Sequence, residues 1–237
     1  MYRPEQAYFG GYTPNDGTIE FYGRIKALAR PDHVVLDYGA GRAAWFEDDK
    51  CEYRRQMQLF KGFVKEVIAA DIDEIVMTNR SSDRNLVIGR NVPLPDSSVD
   101  IVIADYVLEH VENPVEFSNE VFRLLKPSGL FCARTPHKYS YVAIGARMIP
   151  NRQHVKYLKG LQPDRKSQDV FPTCYRLNTL QDIKRSFPQF DDASFVVRTD
   201  PAYFFGSRAV YKSAQIMHQL SPSWFSGNIF AFLRKKP

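Results

Sequence analysis

The chain has 237 residues, of which 44% are hydrophobic and 25% charged, and its net charge is +5. This length and composition suit one globular domain with a sizeable core, so we expect residues 1–237 to form a single domain. They argue against a membrane-spanning protein, because no stretch approaches ~18–20 uninterrupted apolar residues. The three cysteines lack metal-ligand spacing and the N-terminus lacks an apolar signal core, so we expect no bound metal and a cytoplasmic location.

Apolar residues recur with alternating strand and helix periods, which indicates a mostly parallel sheet with helices on both faces. The predicted elements in chain order are an irregular lead-in (1–16), a helix (18–29), a strand (33–37), an acidic loop (45–50), a helix (51–63), a strand (66–70), a helix (73–79), strands (85–88 and 99–104), a helix (114–125), a strand (130–134), helices (139–149 and 179–187), a strand (194–199), a helix (207–220) and a strand (228–234). We expect Asp16 or Thr18 to cap the first helix and Asn178 or Thr179 the helix that ends at residue 187.

The stretch Asp37-Tyr38-Gly39-Ala40-Gly41 follows the first predicted strand. Two glycines one residue apart allow a sharp turn from strand to helix and leave room for a ligand against the backbone. The carboxylate of Asp37 would be a poor neighbour for the pyrophosphate of NAD. S-adenosylmethionine (SAM) has no phosphate and carries a sulfonium and an ammonium, so its charge suits an acid at this strand end.

Asp71 ends the second predicted strand, which is the usual place for an acid that accepts the ribose hydroxyls of a nucleotide-like cofactor. Asp73 is a second candidate for that contact. The alternative for Asp71 is a purely structural one, as the N-cap of the helix predicted over residues 73–79.

The ordered segments between residues 30 and 137 resemble the class I SAM-dependent methyltransferases, in the group often called type 11. The segments that carry the resemblance are Val34–Gly41, Leu94–Val102, Asp105–Val111, Arg123–Gly129 and Thr135–His137. The resemblance implies a doubly wound, Rossmann-like sheet of seven strands, mostly parallel and with an antiparallel last strand. It also implies that SAM, and its product S-adenosylhomocysteine (SAH), bind across the carboxyl ends of strands one, two and four.

Carried onto this sequence, the resemblance assigns the cofactor contacts. Contacts to the methionine part fall to Asp37, Gly39, Ala40 and Gly41, contacts to ribose and adenine to Asp71 and Ile72, and further contacts beside the methionine to Asp105 and Tyr106. The chain departs from the family pattern at Ala43, where a third glycine is usual, and at Ile88, where an acid usually accepts from the adenine amino group. A backbone carbonyl or Asn91 would have to replace that acid.

Methyl transfer from a sulfonium needs mainly in-line positioning, and it needs a base only for a protonated acceptor. His110 and His137 follow strands four and five, where either can act as a base or simply pack at the rim of the sheet. Glu109 is expected to bond nearby backbone rather than to react. Tyr139 and Tyr141 are candidates for the acceptor pocket or for the core.

We place the substrate region in residues 137–176, which are rich in cations. These cations are Lys138, Arg147, Arg152, Lys156, Lys159, Arg165 and Lys166. They suit an acceptor that bears phosphate or carboxylate, or a solvated surface. Residues 207–220 are expected to pack on the sheet, with roles as a lid or in peripheral membrane contact as alternatives.

The sequence and the resemblance together predict a SAM-dependent methyltransferase that acts on a small-molecule or glycan-like acceptor, and the resemblance implies that the methyl group goes to oxygen. The alternatives are an RNA methyltransferase, for which no appended nucleic-acid-binding domain is visible, a non-catalytic binding module of the same fold, and an NAD-dependent oxidoreductase.

Overall fold

The computed structural model describes residues 2–148 and 172–237, with the side chains of residues 146–148 left aside. Within these ranges the strands form a single mixed sheet. The strands are β1 (Val34–Tyr38), β2 (Glu66–Asp71), β3 (Arg84–Val87), β4 (Val99–Asp105), β5 (Leu125–Pro136), β6 (Phe190–Asp192), β7 (Phe195–Arg198) and β8 (Gly227–Lys235). Their order is β3-β2-β1-β4-β5-β8-β6, with β7 also paired to β8.

Helices flank the sheet on both faces. The α-helices of the described residues are α1 (Gly17–Leu28), α2 (Ala44–Asp48), α3 (Glu52–Gln58), α4 (Pro114–Leu124), α5 (Tyr141–Met148), α6 (Leu180–Ser186), α7 (Arg208–Leu220) and α8 (Ser223–Ser226). Short 3₁₀ helices cover Pro4–Ala7, Phe9–Gly11, Glu74–Thr78 and Leu108–His110. Across residues 2–148 and 172–237 there is no helix with the length and apolarity to span a bilayer.

The predicted fold class is confirmed, and the strand count has a simple explanation. Strands β1 to β5 are parallel to one another, and β8 runs antiparallel beside β5. The short strands β6 and β7 lie one after the other along the same edge of β8, opposite residues 233–235 and 227–230. They therefore occupy one strand position, which gives the seven positions that the sequence predicts.

Two apolar clusters form the core of the described part of the chain, one on each face of the sheet. Successive side chains of a strand point to opposite faces, so Leu36 joins one cluster and Val35 the other. The first cluster contains the buried face of α4, including Val121 and Leu124. The second contains Phe21 and its neighbours on α1. The two layers bury both faces of the central strands, as expected for a parallel sheet.

Helix caps agree with the sequence. Asp16 caps α1 by accepting hydrogen bonds from the backbone N–H groups of Thr18 and Ile19, at 3.0 and 3.1 Å. Thr179 caps α6 by accepting from the N–H of Asp182 at 3.0 Å. Of the two alternatives offered for each helix, the structure selects Asp16 and Thr179.

Two predicted boundaries and two predicted element types are wrong. The helix predicted over 51–63 ends at Gln58, because Phe60 turns into the core and Gly62 adopts a positive φ of 79°. The acidic stretch 45–50, predicted as a loop, contains most of α2. Strand β5 begins at Leu125 instead of residue 130, because Leu125 already pairs with Val99 of β4. The segment 190–192, assigned no element, forms β6.

Candidate functional site

The glycine turn after β1 is held against the neighbouring strand. The N–H groups of Gly39 and Ala40 donate to the carbonyl oxygen of Ala70 on β2, at 2.7 and 3.2 Å. Gly39 has a positive φ of 77°, and a Cβ added there would lie 2.4 Å from Cγ2 of Val107. Both constraints require glycine at this position. The turn is therefore a fixed part of the carboxyl edge of the sheet.

Asp71 ties the second strand to this turn. Its Oδ2 accepts from the N–H of Gly41 at 2.8 Å, and its Oδ1 accepts from the N–H of Asp73 at 2.9 Å. A carboxylate offers about four lone-pair positions, so Asp71 retains acceptor capacity for two hydroxyl groups. The structural alternative offered for Asp71 is wrong, because the N-cap of the following 3₁₀ helix is Asp73, which accepts from the N–H of Ile75 at 2.9 Å.

Three carboxylates meet at the carboxyl ends of adjacent strands. Asp37 lies on β1, and the neighbouring strands β2 and β4 end in Asp71 and Asp105. Burial, followed by the negative charges of Asp105 and Asp71, raises the pKa of Asp37 to about 7. Deprotonating Asp37 is therefore costly in the free protein, and a ligand with a positive charge would remove that cost.

Asp105 is engaged by a buried arginine that the sequence analysis did not select. Arg134 on β5 donates to both carboxylate oxygens of Asp105, from Nε at 2.7 Å and from Nη2 at 2.6 Å. Tyr22 donates its hydroxyl to the same carboxylate at 3.1 Å, and Arg134 also donates to the hydroxyl of Thr18 at 2.8 Å. These bonds couple α1 to the ends of β4 and β5. The negative charge of Asp105 is therefore balanced by Arg134 within the protein, and Asp105 contributes to the wall of the site.

Tyr106 follows Asp105 in an unusual backbone conformation, with a positive φ of 57°. Its ring lies beside the guanidinium of Arg134, at 4.7 Å from ring centroid to Cζ, and its hydroxyl accepts from Nδ2 of Asn228 at 3.0 Å. The side chain is still 42% exposed. A non-glycine residue held at positive φ by such contacts is typical of functional sites, where the surroundings compensate for the strain.

The region expected to contact adenine has one exposed and one buried isoleucine. Ile72 is 66% exposed and offers a free apolar surface next to Asp71. Ile88 is 8% exposed and belongs to the core, while its N–H donates to the carbonyl oxygen of Asp71 at 2.7 Å. The side chain at position 88 is thus a packing residue. Asn91 is exposed, and its predicted contact with adenine stays a prediction.

The two candidate histidines have different surroundings. Nδ1 of His110 lies 2.6 Å from the carbonyl oxygen of Pro172, which can only accept, so Nδ1 carries a proton. His137 is buried, and its Nδ1 accepts from the N–H of Tyr139 at 3.3 Å. Burial, and then the charge of Lys138, lowers the pKa of His137. His137 is therefore neutral near pH 7.

Glu109 lies in a buried chain of hydrogen bonds whose other members the sequence analysis did not identify. Thr135 donates its hydroxyl to Oε2 of Glu109 at 2.8 Å, and Nδ2 of Asn178 donates to the hydroxyl oxygen of Thr135 at 2.6 Å. The backbone oxygen of Glu109 accepts from the N–H groups of Cys174 and Tyr175. Burial raises the pKa of Glu109 to about 7. The expected structural role of Glu109 agrees with these contacts.

A small recess, partly open to solvent, borders Asp37 and includes Tyr22, Trp45 and Ser81 in its lining. Among the described residues no group of three or more His, Cys, Asp or Glu side chains has an arrangement that could hold a metal ion. The predicted substrate region of 137–176 falls mainly on residues outside the described ranges. Of its cations, Lys138 forms an ion pair with Asp182 at 3.0 Å.

Comparisons with known proteins agree with this geometry. Residues 51–133 match the profile of a family described as a methyltransferase domain. A probable S-adenosylmethionine-dependent methyltransferase of Mycolicibacterium smegmatis is 42% identical over 50 residues, which are 21% of this chain and 20% of the relative. The match thus spans about a fifth of that curated relative's length.

Solved structures share the fold over nearly the whole chain. The YcgJ protein of Bacillus subtilis has a TM-score of 0.54 and 19% identity, and the superposition covers 92% of this chain and 98% of that one. A geranyl diphosphate C-methyltransferase of Streptomyces coelicolor, solved with Mg²⁺, geranyl diphosphate and SAH, has a TM-score of 0.56 and 12% identity, covering 92% and 76%.

The strand order, the glycine turn after β1 and these structural likenesses define a Rossmann-like fold. The family profile over residues 51–133 and the curated relative show that part of the chain is similar to methyltransferases, and the relative is a probable SAM-dependent one. The profile begins at residue 51, beyond the glycine turn, so the role of that turn depends on its geometry.

Proposed function

We propose that this protein transfers a methyl group from SAM to a small-molecule or glycan-like acceptor, at an oxygen atom. The observation that carries the cofactor assignment is the meeting of three carboxylates at the carboxyl edge of the sheet, with the pKa of Asp37 raised to about 7. A site in which one carboxylate is destabilised by two others favours a cationic ligand over a pyrophosphate.

The residues present suit the parts of SAM. Asp37 would face its positive charges, and the backbone of the glycine turn leaves space beside it for the methionine part. Asp71 has acceptor capacity left for the ribose hydroxyls, and Ile72 offers an exposed apolar surface for the adenine. The full proposed set of cofactor contacts is Asp37, Gly39, Ala40, Gly41, Asp71, Ile72, Asn91, Asp105 and Tyr106.

SAM, when bound, supplies a methyl group on a positively charged sulfur. The protein's own task is then to hold the acceptor atom in line with that group and to exclude water. Tyr106 borders the acceptor side of the site, held in place by Arg134 and Asn228. His137 is neutral near pH 7 and His110 carries its proton on Nδ1, so either imidazole is a candidate to accept the proton of a hydroxyl acceptor.

The proposed acceptor class derives from the family resemblance and from the cations of residues 137–176, which suit an anionic group. In the same proposal residues 1–237 act as one cytoplasmic domain, with 1–30 as the lead-in and first helix and 137–176 as the substrate region.

Isothermal titration calorimetry with SAM, SAH and NAD tests the proposal. We expect SAM and SAH to bind and NAD to give no heat. Absence of binding by both SAM and SAH would overturn the enzyme assignment, and binding of NAD alone would indicate an oxidoreductase. A mobility-shift titration with RNA across a range of salt concentrations tests the other alternative, because an RNA methyltransferase would bind RNA tightly and with steep salt dependence.

A further inference from the structure

Helix α7 presents apolar side chains on the side that faces away from the protein. Tyr211 and His218, seven residues apart, are buried at 0% and 5% exposure. On the opposite side Ile216 is 58% exposed and Leu220 is 83% exposed. Residues three or four positions apart share a helix face, so Ile216 and Leu220 form one outward row, which Val210 and Met217 extend at 42% and 38% exposure.

Positive charge accompanies this apolar face. Residues 201–237 contain five basic residues and no acidic residue. Arg208 and Lys212 are exposed on α7 itself, one turn apart at the margin of the apolar row. Arg198 adds a third base at the far end of the helix, where its guanidinium donates to the carbonyl oxygen of Ser221 at 2.6 Å.

Two aromatic side chains with polar tips lie just beyond the helix. Trp224 on α8 is 43% exposed and Tyr139 is 49% exposed, and their rings pack edge to face at 6.4 Å between centroids. Indole and phenol rings favour positions where an apolar layer meets water. An apolar row, bases along its margin and exposed aromatics at its end are together the features of a helix that lies flat in a membrane interface.

We propose that α7 docks on the surface of an anionic lipid bilayer, with Ile216 and Leu220 inserted among the acyl chains and Arg208 and Lys212 near the head groups. The absence of acidic residues after Asp200 favours this occupant over a basic or neutral partner, because no carboxylate on this segment opposes a negative surface.

Helix α7 is linked to the candidate site through its buried side. On the buried side of α7, Nδ1 of His218 lies 3.2 Å from the carbonyl oxygen of Thr199. The hydroxyl of Thr199 accepts from Nδ2 of Asn228 at 3.4 Å, and the same Nδ2 donates to the hydroxyl of Tyr106 at 3.0 Å. Three contacts thus link the docking helix to Tyr106 at the edge of the sheet. Lipid binding by α7 is separate from methyl transfer and can be measured alone.

Co-sedimentation of the full chain with lipid vesicles tests the proposal. The vesicles contain phosphatidylcholine alone, or phosphatidylcholine with roughly 30% phosphatidylglycerol. We expect binding to the anionic vesicles, and we expect it to weaken as salt shortens the Debye length from about 10 Å near 0.1 M to about 3 Å near 1 M. Equal or absent binding to the two kinds of vesicle would overturn the proposal.

Three variants separate the docking face from the rest of the surface. The double variant Ile216→Ser/Leu220→Ser should lower the partition coefficient at least about tenfold, because two apolar side chains no longer insert. Lys212→Gln should lower it about fivefold, since one base near an anionic surface is worth about 1 kcal/mol. Val115→Ser is the matched control, because Val115 is 64% exposed on α4, and it should leave binding unchanged.

Circular dichroism should show that all variants keep the wild-type fold, because each substituted side chain is exposed. Equal binding by the double variant and Val115→Ser would contradict the assignment of this face. Light scattering coupled to size exclusion supplies the other decisive outcome. A dimer that the double substitution dissociates, without vesicle binding by the wild type, would assign the face to a second copy of the chain and overturn the membrane proposal.

Discussion

Replacing Asp37 with asparagine should stabilise the free protein and weaken SAM binding in the same variant. Burial and two neighbouring carboxylates raise the pKa of Asp37 from 3.8 to about 7. Between these two pH values the folded chain holds a proton that the unfolded chain has released. The free energy of unfolding of the wild type therefore falls as pH rises from about 4 to about 7, and the loss is complete above pH 7. An asparagine side chain cannot ionise, so the variant should escape this loss.

The size of the effect follows from the size of the shift. A shift of about three pKa units corresponds to at most about 4 kcal/mol at 1.36 kcal/mol per unit. Asp37 is partly exposed at the rim of the sheet, and water should screen the repulsion, so we expect about 1–2 kcal/mol. For a chain of this length that gain raises the melting temperature by about 3–6 °C at pH 8, with little difference at pH 4.

The assay is thermal unfolding of wild type and Asp37→Asn at several pH values, together with calorimetric titration of SAM. Asp191→Asn is the matched control, because Asp191 is exposed on β6 at the far edge of the sheet, and it should change neither quantity. We expect SAM affinity to fall about tenfold or more in Asp37→Asn, and to rise with pH up to about 7 in the wild type. A melting-temperature difference that is the same at pH 4 and pH 8, or an unchanged SAM affinity, would refute the reasoning.

Four further substitutions test other parts of the site. Asp71→Ala should weaken SAM binding by a few kcal/mol, since charge-assisted hydrogen bonds are worth about 1.5–3 kcal/mol each. Asp73→Ala should instead lower only the free energy of unfolding, by about 1 kcal/mol, because it removes a helix cap. Calorimetry measures the first effect and melting curves measure the second. Gly39→Val should abolish SAM binding, because a Cβ there would lie 2.4 Å from a methyl carbon of a neighbouring valine, and retained binding would contradict the placement of the cofactor at the turn. Arg134→Met should lower the free energy of unfolding by about 3–5 kcal/mol, because it leaves Asp105 without its buried partner. Urea denaturation measures this loss, and a loss below about 1 kcal/mol would show that the ion pair is dispensable.

The sequence was sufficient for the architecture because its signals are local and repeated. The β-branched run before Asp37 and the amphipathic pattern of α4 each identify an element from a few neighbouring residues. Of the two short strands that pair with the same edge of β8, the sequence predicted β7 and missed β6. Segments of three and four residues are too short to show a period, and their pairing with β8 depends on contacts with distant residues.

Helix ends depended on tertiary packing. The pattern from Cys51 onward continues to Phe63, but α3 stops at Gln58 because Phe60 enters the core on the following turn. Helix propensity alone does not predict where α3 ends, since burying one aromatic side chain outweighs the preference for another helical turn.

Within the site, the sequence predicted the acids at the strand ends but did not predict their hydrogen-bond partners. Asp37 ends a predicted strand and Asp71 and Asp105 directly follow predicted strands, and parallel topology brings such positions together. Arg134 reaches Asp105 across 29 positions of sequence, and its preceding apolar strand shows no sign of that contact. An arginine at the end of a buried strand is nevertheless a usable signal, because a buried guanidinium requires a carboxylate nearby.

The central claim is that the cofactor lies at the carboxyl edge of the sheet between the glycine turn and Asp71. A crystal structure of the chain with SAH tests it most directly. We predict that the ribose hydroxyls lie within hydrogen-bond distance of the Asp71 carboxylate and that the sulfur faces the side bordered by Tyr106. SAH bound with its ribose away from Asp71, or bound elsewhere on the molecule, would contradict the account.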